Sequence, residues 1–151
     1  MSTRSDIIRE NADGSYDRIY CHFDGYPSGV GATLLNHYTD PAKIDALLQL
    51  GDISSLGEEI GEKHNFDHRP IGVCNAYGRD RGEKGVECKH YADAESLAAM
   101  LKDSWTEYCY IFRVSDGKWY WTNNPSPTWF KLCGSAQRAT ELLTAEVCTR
   151  D

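Results

Sequence analysis

The residues with the greatest chemical potential lie in one short run, Tyr20-Cys-His-Phe-Asp-Gly-Tyr-Pro-Ser-Gly-Val-Gly31. The alternation of a β-strand would place Tyr20, His22 and Asp24 on one face. An imidazole beside a carboxylate is an acid/base pair, in which Asp24 would raise the pKa of His22. The same spacing is typical of a turn in which Asp24 and Tyr26 make side-chain hydrogen bonds to the backbone. The turn is the favoured interpretation, and an enzyme using His22 and Asp24 is the alternative.

The glycines of this run also predict an anion site. Ser28, Gly29 and Gly31 would open a helix, where backbone N–H groups can hold a phosphate. The run matches neither a P-loop nor a dinucleotide fingerprint. A nucleotide-binding sponge is therefore a second alternative, with the candidate ligand residues Tyr20, His22, Asp24, Tyr26, Ser28, Gly29 and Gly31.

Cysteine and metal chemistry have weaker support. Cys21 and His22 are neighbours in a strand, so they point to opposite faces and cannot form a thiolate-imidazolium pair. Cys88 and His90 share a face, and a hairpin could bring Cys74 beside them as a third zinc ligand. The spacing is not a usual zinc signature and a fourth ligand is missing. No metal or cofactor is expected.

Two surfaces are typical of protein contact. Arg113 and Lys118 accompany Tyr120 on one face of a hairpin, a mixture of charge and aromatic ring that is common at interfaces. A charged connector carries Arg79 and Arg81. Trp129-Phe130 is expected to fold into the core.

Two turn signals predict the hairpins that would position these residues. Asp13-Gly14 fits a three-residue loop that sets Ile7 opposite Ile19 and Arg9 opposite Asp17, because a shorter loop would oppose two arginines. Asp116-Gly117 predicts a two-residue loop, with Phe112 opposite Trp121, Val114 opposite Trp119, and Tyr110 on the same face. A middle hairpin is predicted between residues 72–77 and 86–91.

Four helices with one apolar face are predicted between the hairpins. Their N-caps are Ser28, Asp40, Asp93 and Ser135. The apolar stripes are Val30, Leu34, Leu35 and Tyr38; Ile44, Leu47 and Leu48; Leu97, Met100, Leu101 and Trp105; and Ala139, Leu142, Leu143 and Val147. The expected fold is a single α+β domain, residues 1–151, with helices on an antiparallel sheet in the order ββααββαββα.

Composition limits the function classes. The chain has 151 residues and a formal charge of −7, which suits one domain and argues against direct nucleic-acid binding. No apolar run reaches the roughly 18 residues of a membrane span, so a soluble, cytoplasmic protein is expected. Its six cysteines include no C-x-x-C, which favours buried free thiols.

The run Tyr20–Gly31, with Leu34-Leu35, His37-Tyr38, Leu50-Gly-Asp-Ile-Ser-Ser-Leu-Gly57 and Arg79-Asp-Arg-Gly-Glu83, resembles a family of small bacteriophage and prophage proteins. The resemblance covers most of residues 3–122, and members often have Trp where this chain has Phe23. It implies a phage origin and carries no activity, cofactor or catalytic residue to this chain.

An acidic protein of phage type without a recognisable catalytic set is most simply a binding protein in the infected cell. The first hypothesis is an inhibitor of a host defence system or host process, of the anti-CRISPR or anti-restriction type, acting by protein contact. Charge complementarity would speed its association with a basic surface on its target.

Overall fold

The computed structural model describes residues 2–102, 104–123 and 140–141. Its strands are β1 (Ser5–Glu10), β2 (Tyr16–Cys21), β3 (Ile53–Ser55), β4 (Asn75–Ala76), β5 (Lys89–Tyr91), β6 (Tyr108–Arg113), β7 (Lys118–Asn123) and β8 (Thr140–Glu141). They form an open sheet in the order β4-β3-β2-β1-β6-β7-β8, and β5 also pairs with β2. Because β1 pairs with β6 in parallel, as does β2 with β3, the sheet is mixed and the antiparallel prediction is only partly right.

The helices of the described part are α1 (Ala32–His37), α2 (Pro41–Gln49), α3 (Tyr77–Arg81) and α4 (Ala94–Lys102). α2 begins as predicted, since Asp40 accepts a hydrogen bond from the Ala42 amide at 2.9 Å. Asp93 likewise accepts from the Ser96 amide at the start of α4. Ser28 is not a cap, because a π-helical turn from Pro27 to Gly31 leads into α1.

The first hairpin has the predicted register. Ile7 pairs with Ile19 and Arg9 with Asp17, and Gly14 takes the left-handed conformation with φ of +88°. The Arg9 guanidinium lies 2.8 Å from the Asp17 carboxylate. Cross-strand charge therefore indicated the correct loop length.

The second hairpin has the predicted aromatic face but a different register. Its turn takes four residues, 114–117, so Phe112 pairs with Trp119 and Tyr110 with Trp121. The Asp116 carboxylate accepts from the Lys118 amide at 3.0 Å, which stabilises this longer turn. Val114 is consequently exposed rather than paired with Trp119.

The predicted middle hairpin does not form. β4 pairs with β3, and the chain then enters α3, whose Asp80 carboxylate accepts from the Ala76 amide at 2.8 Å. β5 pairs with β2 instead. The predicted last helix lies mostly outside the described residues, as does Trp129-Phe130, but Thr140–Glu141 forms β8 and the helix prediction is wrong there.

Apolar side chains cover both faces of the sheet. One face carries Ile7, Ile19, Tyr110, Phe112 and Trp119, packed with Leu34 and Tyr38 near α1 and with Ile44, Leu47 and Leu48 of α2. The other face carries Ile8, Tyr16, Cys109 and Ile111, packed with Leu97, Ala98 and Leu101 of α4. None of the helices in the described ranges has the length and apolar character needed to cross a membrane.

Candidate functional site

The turn after β2 is tied into the sheet on two sides. The Gly25 amide donates to the Thr3 carbonyl at 2.9 Å, and the Gly25 carbonyl accepts from the Tyr110 hydroxyl at 2.6 Å. Asp24 has a φ of +57°, and its carboxylate accepts from the Tyr26 hydroxyl at 3.0 Å. Asp24 and Tyr26 therefore bond to each other, side chain to side chain, in the turn, where side-chain bonds to the backbone were expected.

The turn uses backbone amides of the predicted anion site for its own hydrogen bonds. The Gly29 amide donates to the Tyr26 carbonyl and the Val30 amide to the Asp24 carbonyl, so neither is available to a phosphate. A Cβ at Gly29 would lie 2.4 Å from the Asp24 carbonyl oxygen. Glycine is required here by the close approach of two backbone segments.

His22 and Asp24 are not hydrogen-bonded to each other as the alternative, enzymatic interpretation required. The His22 Nδ1 lies 2.7 Å from the Tyr20 hydroxyl, whereas Asp24 is bonded to Tyr26. Burial, assisted by the nearby positive charge of Arg4, lowers the pKa of His22, which is opposite to the predicted direction. The Phe23 ring packs edge-on to the imidazole at 4.5 Å between centroids.

Trp105 is the most exposed aromatic side chain of the described residues, at 83%. The sequence placed it in the core stripe of α4, but that helix ends at Lys102. On either side of Trp105, Ser104 and Thr106 turn their hydroxyls inward, and these lie 2.8 Å apart. Thr106 also donates to the carboxylate of Asp6 at 2.6 Å.

Asp6 is the anchor of this segment. Its side chain is fully buried and is paired with the Arg18 guanidinium, whose Nε donates to it at 2.7 Å. The Glu107 amide donates to the Arg4 carbonyl at 2.9 Å and continues the attachment to the start of β1. Trp105 is therefore held outward by hydrogen bonds on both sides.

A groove of about 410 Å³ lies beside Trp105. Its walls include Arg4, Arg18, Tyr20, Met100, Trp105 and Thr106. Through Tyr20 the groove adjoins His22 and then Phe23, which is 43% exposed. We call the side chains of Arg4, Tyr20, His22, Phe23 and Trp105 the aromatic surface.

The candidate zinc ligands are not gathered. Cys74 is buried against the Tyr38 hydroxyl at 3.4 Å, while His90 lies 2.8 Å from the Asp17 carboxylate. Across the described ranges, no cluster of three or more His, Cys, Asp or Glu side chains could hold a metal ion. Burial raises the pKa of Cys21 to about 12 and that of Cys88 to about 11, which favours the unreactive thiol.

The arginines proposed for protein contact differ in their surroundings. Arg79 donates to the carbonyls of Ile60, Gly61 and Cys74 and to Asp80, so it is a structural residue rather than the contact residue expected from the sequence. Arg81 is half exposed, pairs with Glu83 and stacks on two aromatic rings, Phe66 and Tyr77.

The predicted surface of the second hairpin is also internally paired. The Arg113 guanidinium bonds to Glu10 at 2.9 Å and lies over the Tyr120 ring, 5.7 Å from its centroid. The Tyr120 hydroxyl bonds to Asp116 in the turn, beside Lys118. The polar groups of this hairpin surface are thus engaged in contacts within the chain, whereas the large rings of Trp105 and Phe23 on the aromatic surface are exposed.

Sequence reasoning missed Arg4 and Trp105. The one signal for Trp105 was its place between two hydroxyl residues beyond the helix, because Ser and Thr favour bonds to nearby polar groups over helix interiors. Comparison of the chain with models of protein families, with curated protein sequences and with solved structures found no match.

Proposed function

We propose that this chain is a binding protein that acts by protein contact, with Trp105 as the anchor of its interface. The observation that carries the proposal is the exposed indole of Trp105, on a segment that the Thr106 hydroxyl attaches to the buried Asp6. Tryptophan, tyrosine and arginine are the residues that most often dominate binding energy at interfaces, and all three occur on the aromatic surface. Because the segment that carries Trp105 is already attached to the sheet, its backbone loses little conformational entropy on binding.

The biological setting in this proposal is the infected bacterial cell, where the chain would inhibit a host defence system or host process. The resemblance of residues 20–31 to small phage proteins supports that setting. The net charge of −7 supports a target with a basic face, since opposite charges accelerate encounter. The aromatic surface would then supply the short-range contact.

A plaquing assay tests this function. Bacteria carrying individual restriction or CRISPR systems are infected with sensitive phage, with and without expression of the chain. We expect the wild-type chain to restore plaquing against at least one system. Trp105→Ala combined with Phe23→Ala should abolish the effect, because it removes the exposed rings without touching the bonds to Asp6.

Ile71→Ala is the matched control, since Ile71 is fully exposed and is not part of the aromatic surface. This variant should retain the full effect. Equal activity of the double variant and the wild type contradicts the proposed interface. Failure of the wild-type chain against every system contradicts the anti-defence function.

A further inference from the structure

The described lining of the groove beside Trp105 carries positive charge, whereas the chain as a whole has a net charge of −7. Arg4 and Arg18 are among its lining residues, and no acidic side chain of the described residues lines it. Asp6 lies behind the wall, fully buried, and its negative charge is paired with Arg18. Among the described lining residues, Arg4 is therefore the source of unpaired positive charge.

The Arg4 side chain differs from other arginines within the described part of the chain. Its guanidinium makes no hydrogen bond or ion pair there, in contrast to Arg9, Arg18, Arg79 and Arg113, each of which bonds to a carboxylate. The side chain is half-buried and sits in the groove with Trp105 and Tyr20. A guanidinium in such a position favours a planar anion, and a carboxylate fits its geometry.

The other walls of the groove are mainly apolar. Trp105 and Met100 supply surface for an aliphatic side chain, while the hydroxyls of Ser104 and Thr106 are already directed toward Asp6. Among the described lining residues, a ligand therefore meets the unpaired guanidinium of Arg4 beside the large apolar side chains of Trp105 and Met100. That combination matches a protein segment better than a polar small molecule.

We infer that the groove binds a segment of the partner protein that presents a carboxylate side chain next to an aliphatic one, with the carboxylate on Arg4 and the aliphatic side chain against Trp105. This inference rests on the proposed function and names the chemistry of the partner at the same site. A nucleotide, with its base on Trp105 and its phosphate on Arg4, is the competing occupant that the experiment separates.

The test uses two small peptides, N-acetyl-leucyl-glutamate amide and N-acetyl-leucyl-glutamine amide, which differ only in charge. Each is titrated at millimolar concentration into the ¹⁵N-labelled chain, and the Trp105 indole and Arg4 Nε resonances are followed by NMR. We expect both resonances to shift, with the glutamate peptide bound about threefold to tenfold more tightly at low salt. The Arg4→Gln variant should remove that difference and Arg4→Lys should keep part of it.

Lys84→Gln is the matched charge control, because Lys84 is exposed and does not line the groove. It should leave the preference for glutamate unchanged. Equal binding of the two peptides, no shift with either, or tighter binding of adenosine monophosphate than of the glutamate peptide would each overturn the inference. If the inference fails while Trp105→Ala combined with Phe23→Ala still abolishes the anti-defence effect, the proposed function stands and only the partner chemistry is wrong.

Discussion

The Thr106 hydroxyl donates to the buried carboxylate of Asp6 at 2.6 Å, although 100 positions of sequence separate the two residues. Arg18 holds the same carboxylate from β2. The segment after α4 is thereby fastened to the centre of the sheet at the residue following Trp105. The exposed indole thus belongs to the residue that directly precedes this buried contact.

Thr106→Val tests that attachment. Valine keeps the shape of threonine but cannot donate to Asp6, so a buried carboxylate loses a hydrogen bond. We expect a decrease of about 1–3 kcal/mol in the free energy of unfolding, measured by urea denaturation with circular dichroism. Thr39→Val, at an exposed position, should change stability by less than about 0.5 kcal/mol. Equal stability of the two variants would contradict the role of Asp6 as anchor.

Arg79→Ala tests the structural assignment of an arginine that the sequence placed at a contact surface. The substitution removes donors from three carbonyls and leaves the buried Asp80 without its guanidinium partner. We expect a loss of about 3 kcal/mol of stability. Arg81→Ala, which removes an exposed ion pair and stacking, should cost about 1 kcal/mol or less. A larger loss of stability in Arg81→Ala than in Arg79→Ala, measured by chemical denaturation, would contradict the structural role of Arg79.

Gly29→Ala tests the closed turn. The added methyl group would lie 2.4 Å from the Asp24 carbonyl oxygen, so the backbone must shift. We expect a loss of about 2 kcal/mol or more, seen as a clear fall in Tm. Ser28→Ala, at the exposed neighbour, should be close to neutral. A Gly29→Ala variant as stable as the wild type would indicate an open loop and would support the hypothesis that the turn binds an anion.

Acid should destabilise the fold in part through Asp80. Burial by itself would raise the pKa of this carboxyl, but hydrogen bonds from Arg79 and two backbone amides outweigh burial and hold the pKa below its ordinary value of 3.8. A carboxyl group whose pKa is lowered by folding stabilises the fold at pH values above the pKa that it has in the unfolded chain. This contribution is lost as the pH falls through the lower pKa of the folded state.

We therefore expect the free energy of unfolding to fall between about pH 5 and pH 2, with a shallower fall in the Asp80→Asn variant, which cannot titrate. Urea denaturation across this pH range gives the two slopes. The variant will be less stable at neutral pH, so the slope is the decisive quantity. Parallel slopes for the two proteins would contradict a lowered pKa of Asp80.

Local charge and turn chemistry in the sequence correctly predicted the loop of the first hairpin and the starts of two helices. The opposition of Arg9 and Asp17 selected the correct loop, and Asp40 and Asp93 marked the starts of two helices. Asp116-Gly117 was misleading, because the Asp116 carboxylate supports a four-residue turn as well as a two-residue one. A short dipeptide signal does not fix the length of its turn.

Pairing between strands that are distant in the sequence could not be predicted. Alternation of apolar residues in β1 and β6 is the same whether the strands run parallel or antiparallel, so the direction of that pairing was missed. Trp105 continued the apolar spacing of α4, and although its flanking hydroxyl residues disfavour a helix, they do not identify Asp6 as the partner of Thr106. The site was missed because the contact that creates it is distant in sequence.

The most direct measurement of the central claim is site-specific photo-crosslinking in phage-infected or chain-expressing bacteria. A benzophenone amino acid replaces Trp105 in one version of the chain and Ile71 in another, both positions being exposed. We expect one dominant host protein to be crosslinked from position 105, with no such product from position 71. Crosslinking to that protein from position 71 and not from position 105 would contradict Trp105 as the anchor of the interface.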